Sequence, residues 1–223
     1  MHGYPEYGQP PTTAQSQLFL HEQAILRELY DPRIPRLVDL FMVNNSPFMV
    51  QEYIPGLPLS TAISRGRVFT EAEIKNILQQ LLEIIIYLHT PTRCKPLILH
   101  RDLRLSNLIL DRNKLYLIDF GFAVRPHRLS DLTLPEPPTN KTSAAAAGYI
   151  RYRRTLSPAS DLFGAGLVAA DLMDSRLPYA ASQGKPVCSD DFSEFIGKLL
   201  KADSGYETAT AALTSLLKTK LLS

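Results

Sequence analysis

The sequence predicts an α+β fold, and three observations carry that reading. An apolar stripe at helical spacing, Leu18, Ile25, Leu26 and Leu29, precedes two extended runs that flank a turn signal. A capping box then opens a much longer amphipathic helix. Beyond it, short β-type runs alternate with polar stretches before helical periodicity returns. One helix, a hairpin and then mostly helix with short strands between is the pattern of an α+β chain.

Each element follows from local chemistry. Residues 1–17 mix Gly, Pro, Tyr, Gln and Thr without periodicity and read as an irregular segment. The first helix starts at Leu18, carries Glu22 on its apolar stripe, and ends at Asp31-Pro32. Residues 36–43 and 47–54 flank Asn44-Asn45-Ser46 and read as a β-hairpin, which Pro55-Gly56 ends. A short helix follows near 59–63. Thr70 and Glu73 form the capping box of a helix that buries Ile74, Ile77, Leu78, Leu81, Leu82, Ile85 and Leu88 and stops near His89. Short β-type runs are expected at 97–99, 108–110 and 115–118. Residues 126–147 read as a loop, and helices are expected near 160–173, 190–201 and 207–222.

Composition narrows the function classes. A chain of 223 residues can form one sizeable domain or two small lobes around a cleft. With 45% apolar and 21% charged residues and a net charge of +2, nothing draws it to nucleic acid or to a membrane surface. The apolar run at 81–88 is too short to span a bilayer and contains Glu83. The N-terminus lacks the charged and apolar regions of a signal peptide. Cys94 and Cys188 sit in no metal or disulfide pattern, so reduced thiols in a cytoplasmic setting are expected.

The chemistry is concentrated in His100-Arg-Asp-Leu-Arg-Leu-Ser-Asn107, followed by an apolar run and then by Asp119-Phe-Gly121. Taken singly, Asp102 could be a helix cap, and Asn107 and Asp119 turn residues. Together, in this order and spacing, they resemble the HRDLxxxN catalytic loop and the DFG motif of protein kinases. That resemblance implies ATP and Mg²⁺ as cofactors. It implies Asp102 as the group that accepts or orients the proton of an attacking hydroxyl, and Asn107 and Asp119 as oxygen ligands of the metal. Arg104 would turn a cation toward the transferring phosphate. His100 and Phe120 would be packing residues that stack through the two lobes.

The resemblance covers roughly residues 18–222. It implies a bilobal fold with a truncated N-lobe, made of the family's C helix and its fourth and fifth strands, and a mainly helical C-lobe. The expected division is an irregular segment over 1–17, the remnant N-lobe over 18–54 and the C-lobe over 55–223. Glu22 matches the C-helix glutamate that pairs with an ATP-binding lysine. Residues 49–56 are similar to the family's hinge, with Gln51 as gatekeeper and with Glu52 and Ile54 offering backbone hydrogen bonds to adenine. Ile109 would pack under the adenine ring. Gly148–Tyr152 is similar to the end of an activation segment. Asp161 matches the residue that holds the catalytic loop through its backbone.

Three departures stand out. No Gly-rich loop or lysine-bearing strand precedes Glu22, and the first lysine in the sequence is Lys75. The Ala-Pro-Glu motif is missing after Arg154, and so is the arginine that pairs with it. Losing both halves of an ion pair leaves no buried charge behind, which resembles a subfamily's solution, and such variants are similar to bacterial Hanks-type kinases. The implied function is a protein kinase acting on a Ser/Thr hydroxyl of a protein substrate, with weakened ATP binding. A non-catalytic pseudokinase or interaction module, and a small-molecule kinase of related fold, stay open. Arg101 beside Asp102 implies a phosphate on the loop, at Ser130, Thr133, Thr139, Thr142 or Ser143.

Overall fold

The computed structural model describes residues 13–44, 46–126, 156–183, 187–201 and 205–219. The first helix, α1, runs Thr13–Leu26. It therefore begins inside the segment read as irregular. Residues 13–17 contain neither Gly nor Pro, so nothing after Pro10-Pro11 prevents helix formation. Ile25, Leu26 and Leu29 are buried, as the stripe requires. The turn after α1 is tied down by Arg33, whose guanidinium reaches Asp31 at 2.8 Å and Glu83 at 2.9 Å.

Strands β1 (Leu37–Val43) and β2 (Ser46–Gln51) pair antiparallel, in register from Leu37↔Gln51 to Val43↔Ser46 with a bulge between Leu37 and Asp39. Asn44 takes the left-handed turn conformation, with φ 48°. β2 ends three residues earlier than the sequence suggests. Glu52 N–H still bonds the Arg36 carbonyl at 2.9 Å, and the chain then leaves the ladder. It leaves to form a two-residue strand, β3 (Leu57–Pro58), which periodicity cannot reveal at that length.

β3 heads a three-stranded sheet of order β3-β4-β5, with β4 at Leu108–Asp111 and β5 at Lys114–Leu117. Gly56 makes that crossing possible, because a Cβ there would lie 2.5 Å from the Leu110 carbonyl oxygen. The expected strand at 97–99 is reduced to a single bridge between Leu99 and Val124, since the chain turns at once into the catalytic loop.

Helix α2 (Leu59–Ser64) follows β3. Helix α3 (Glu71–His89) opens with the predicted capping box, Glu73 N–H to Thr70 Oγ1 at 3.2 Å and Thr70 N–H to Glu73 Oε2 at 2.7 Å. All seven residues expected on its buried face are buried. It packs against α4 (Pro158–Asp174) and α7 (Ala209–Leu216), while α6 (Asp190–Leu199) packs on α4. A Cβ on Gly166 of α4 would sit 2.9 Å from Leu199 Cβ, so that glycine lets the two helices approach. A short helix, α5 (Leu177–Gln183), was not expected, and α7 is shorter than the 207–222 range. A helix, a hairpin and a helical remainder with a small sheet match the truncated bilobal pattern. The loop over 126–147, apart from Pro126, and the Gly148–Tyr152 segment lie outside the described residues.

Candidate active site

The catalytic loop is shaped by a residue far along the chain. Asp161, in the first turn of α4 and fully buried, accepts hydrogen bonds from the backbone N–H of His100 and of Arg101, both at 2.8 Å. His89, the last residue of α3, donates from Nε2 to the same carboxylate at 2.9 Å. Burial alone would push the Asp161 carboxyl up. The His89 bond and charge and the Arg101 N–H outweigh it and hold the group below the usual carboxylate range. This grip stabilises Arg101 at φ 63°, a left-handed conformation that costs a non-glycine residue about 1–2 kcal/mol.

His100 is a buried packing residue with both ring nitrogens engaged. Its Nδ1 accepts from Asp102 N–H and its Nε2 donates to the Ile118 carbonyl, each at 3.3 Å. Burial pushes the imidazole below its usual range despite the nearby Asp161, Asp102 and Asp119 carboxylates. The ring meets Phe120 edge-on, with centroids 4.8 Å apart. His100 and Phe120 thus pack against each other, edge to face.

Asp102 is buried, and Asn107 fixes it. Asn107 Nδ2 donates to the Asp102 carbonyl at 2.9 Å and to its Oδ2 at 3.1 Å. A 3-10 turn over Leu105–Asn107 brings the asparagine back toward the aspartate. Arg104 Nε lies 3.9 Å from Asp102 Oδ2 and is buried without a hydrogen-bond partner among the described residues. Asp119 follows β5 in a left-handed conformation, φ 66°, and its Oδ1 accepts Gly121 N–H at 3.3 Å.

Glu22 reaches the same region from α1. Its Oε1 accepts Phe120 N–H at 3.3 Å, and the Gln51 side chain also bonds it. Among the described residues no cation meets it. Burial, with Asp119 adding to it, raises its carboxyl to about 7. The segment expected to be a hinge lies between β2 and β3, with Glu52 exposed and Ile54 buried, while Ile109 on β4 is half-buried and pairs with Pro58. A cavity of about 430 Å³ opens behind the hinge, between Pro55, Gly56, Arg65 and Leu110, and includes none of the predicted site residues.

The donors fit a Mg²⁺ ion bound with nucleotide phosphates. Asn107 turns its amide nitrogen to Asp102, which orients its Oδ1 the other way, and Gly121 N–H engages only one oxygen of Asp119. Two hard oxygen donors suffice where phosphates and water complete the shell. Among the described residues no three His, Cys, Asp or Glu converge as a self-sufficient cage. Sequence reasoning missed His89, whose place at a helix C-terminus was the one available signal, and it missed the Gln51–Glu22 contact.

The described residues thus combine an aspartate locked to an asparagine, on a loop pinned from a distant helix, with a second aspartate that follows a short strand. A family model described as the protein kinase domain matches residues 9–220, and the chain belongs to that family. It is 32% identical over 167 residues to a protein named serine/threonine-protein kinase PknA from Nostoc sp., covering 72% of this chain and 28% of that protein. It is 31% identical over 171 residues to serine/threonine-protein kinase B from Synechocystis sp., covering 73% and 29%. It is 35% identical over 118 residues to a probable serine/threonine-protein kinase, YbdM, of Bacillus subtilis, covering 51% and 44%. The chain thus spans less than half the length of each of these relatives.

Proposed function

We propose that this chain is the catalytic core of a serine/threonine protein kinase, working in the cytoplasm, which moves the γ-phosphoryl group of ATP onto a protein hydroxyl. The observation that carries this reading is the pair of hydrogen bonds that Asn107 Nδ2 donates to Asp102, on a loop pinned by Asp161. Phosphoryl transfer needs positioning and charge neutralisation more than covalent help, and this arrangement supplies positioning. The attacking hydroxyl oxygen forms its bond to the γ-phosphorus as the bond to the ADP oxygen breaks, and Asp102 takes up the hydroxyl proton. Arg104 meets the transferring phosphate, a role supported by its Nε lying 3.9 Å from Asp102 Oδ2 with no hydrogen-bond partner among the described residues. Glu52 and Ile54 bind adenine through their backbone, and Ile109 supports the ring from below. Asn107 and Asp119 hold Mg²⁺, which when bound neutralises the charge of the phosphates. The names of the relatives support Ser/Thr specificity, and two unpaired cysteines fit a reducing compartment. Among the described residues no helix is long and apolar enough to cross a membrane.

A second reading is a non-catalytic kinase fold. It is favoured by one observation, that Glu22 faces no cation among the described residues. One experiment separates the two. Transfer from radiolabelled ATP to a generic protein substrate is measured for the full chain and for Asp102→Asn. The kinase reading expects Mg²⁺-dependent transfer that falls by a factor of about 10²–10⁴ in the variant, with ATP affinity by calorimetry unchanged. Equal transfer in parent and variant removes Asp102 from the role, and no transfer in either supports the non-catalytic reading.

A further inference from the structure

Helix α1 carries Glu22 into the site, so something must fix α1 against the catalytic loop. Glu22 itself makes only neutral contacts among the described residues, with Phe120 N–H and the Gln51 side chain. Just past the C-terminal end of α1, the contact is of a different kind. Arg125 lies on the stretch that follows Asp119-Phe-Gly121. Its Nε and Nη2 donate to the two oxygens of Glu28, at 2.9 and 3.0 Å, and Nη2 also donates to the Ala24 carbonyl at 2.9 Å. The arginine side chain is only 4% exposed and the glutamate 24%, so the fork is largely shielded from water. A bidentate arginine–carboxylate pair fixes orientation as well as distance, and a lysine cannot reproduce it.

The far side of the clamp is anchored equally well. Val124, the neighbour of Arg125, exchanges two backbone hydrogen bonds with Leu99, at 2.9 and 2.8 Å. Leu99 directly precedes His100 and the catalytic loop. His21 adds a contact from α1 to the Ala123 carbonyl. A continuous path therefore runs from α1 through Arg125 and Val124 to Leu99 and Asp102. We propose that Arg125 is a positioning residue for phosphoryl transfer, which locks α1, and with it Glu22, onto the catalytic loop through Glu28 and the Ala24 carbonyl. The proposal rests on the kinase reading for its effect on turnover, but its effect on α1 stands independently.

Three variants of the full chain test it, Arg125→Lys, Arg125→Met and Glu28→Gln, with the reversed pair Arg125→Glu/Glu28→Arg as a rescue. Hydrogen exchange is followed along the chain, and kcat and KM for ATP are measured where transfer is detectable. Arg125→Met is expected to speed exchange across residues 18–29 by about tenfold or more, while α3 and α4 keep their protection. The turnover number falls about tenfold with KM for ATP within about twofold, Arg125→Lys is intermediate, and the reversed pair recovers part of the loss. Unchanged exchange in α1 overturns the proposal, whatever the activity. So does faster exchange spread evenly over α1, α3 and α4, which would mark a merely structural residue. If the parent transfers no phosphate, the kinase reading fails and the exchange pattern still decides the clamp.

Discussion

A carboxylate removed from water must be surrounded by donors, and those that meet Asp161 include two backbone N–H groups and the His89 ring. Its removal would leave those donors unmet and release Arg101 from its left-handed backbone. Asp161→Ala is therefore expected to cost about 3 kcal/mol in a urea titration, and to lower turnover beyond any effect on ATP affinity. A loss below about 0.5 kcal/mol would mean that the loop holds its shape unaided. The residues of the motif itself were legible in the sequence because their types and spacing are dictated by the chemistry. Their supports were not. His89, Arg125 and Glu28 lie 72 to 101 positions from these partners, and a lone histidine, arginine or glutamate carries no sign of what it will meet. Glu22 shows the limit from the other side: its position on the stripe was readable, but its companions Phe120 and Gln51 emerged only from the fold.

At the scale of elements, the N-terminus of α3 and that of α6 are tied together by Glu71. This carboxylate accepts Ser189 N–H at 2.9 Å and its hydroxyl at 2.7 Å, and pairs with Lys75 at 2.8 Å. Burial pushes the Glu71 carboxyl up, but Lys75 and Ser189 outweigh it and hold the group below its usual 4.5. The folded value is thus lower than the unfolded one, so the stabilisation is fully present above 4.5 and is lost as pH falls through the folded value. Glu71→Gln is expected to lower the urea midpoint at neutral pH and to converge with the parent once pH has fallen below the depressed folded value. A gap that stays constant with pH would dissociate Glu71 from the acid limb. The long helix of this pair was the most readable element, since its capping box and stripe are local. β3 was invisible because two residues have no period, and the end of β2 was misjudged because the tertiary pull of β4 on Leu57, not the local sequence, decides where the strand stops.

At the scale of the whole molecule, stability is uneven. The helical part has a continuous buried core, whereas β1 and β2 form a two-stranded sheet, a marginal unit with open edges. One face of that sheet exposes Phe41, Val43, Phe48 and Val50, with the two phenylalanine rings stacked 5.5 Å apart. Residues 37–51 are therefore expected to exchange their amides first. Phe41→Thr with Phe48→Thr should reduce self-association of the full chain in light scattering while moving the thermal midpoint by no more than about 4 °C. Unchanged scattering would show that this face is not what draws molecules together. The dependence of the catalytic loop on Asp161 also has a consequence for synthesis. Asp161 is made 60 residues after Arg101. At about 5–20 residues per second on a ribosome, the loop waits roughly 3–12 s for the side chain that shapes it. The emerging chain thus carries residues 100–107 well before the carboxylate that fixes their backbone, and the start of α4 sets when that loop can take its final shape.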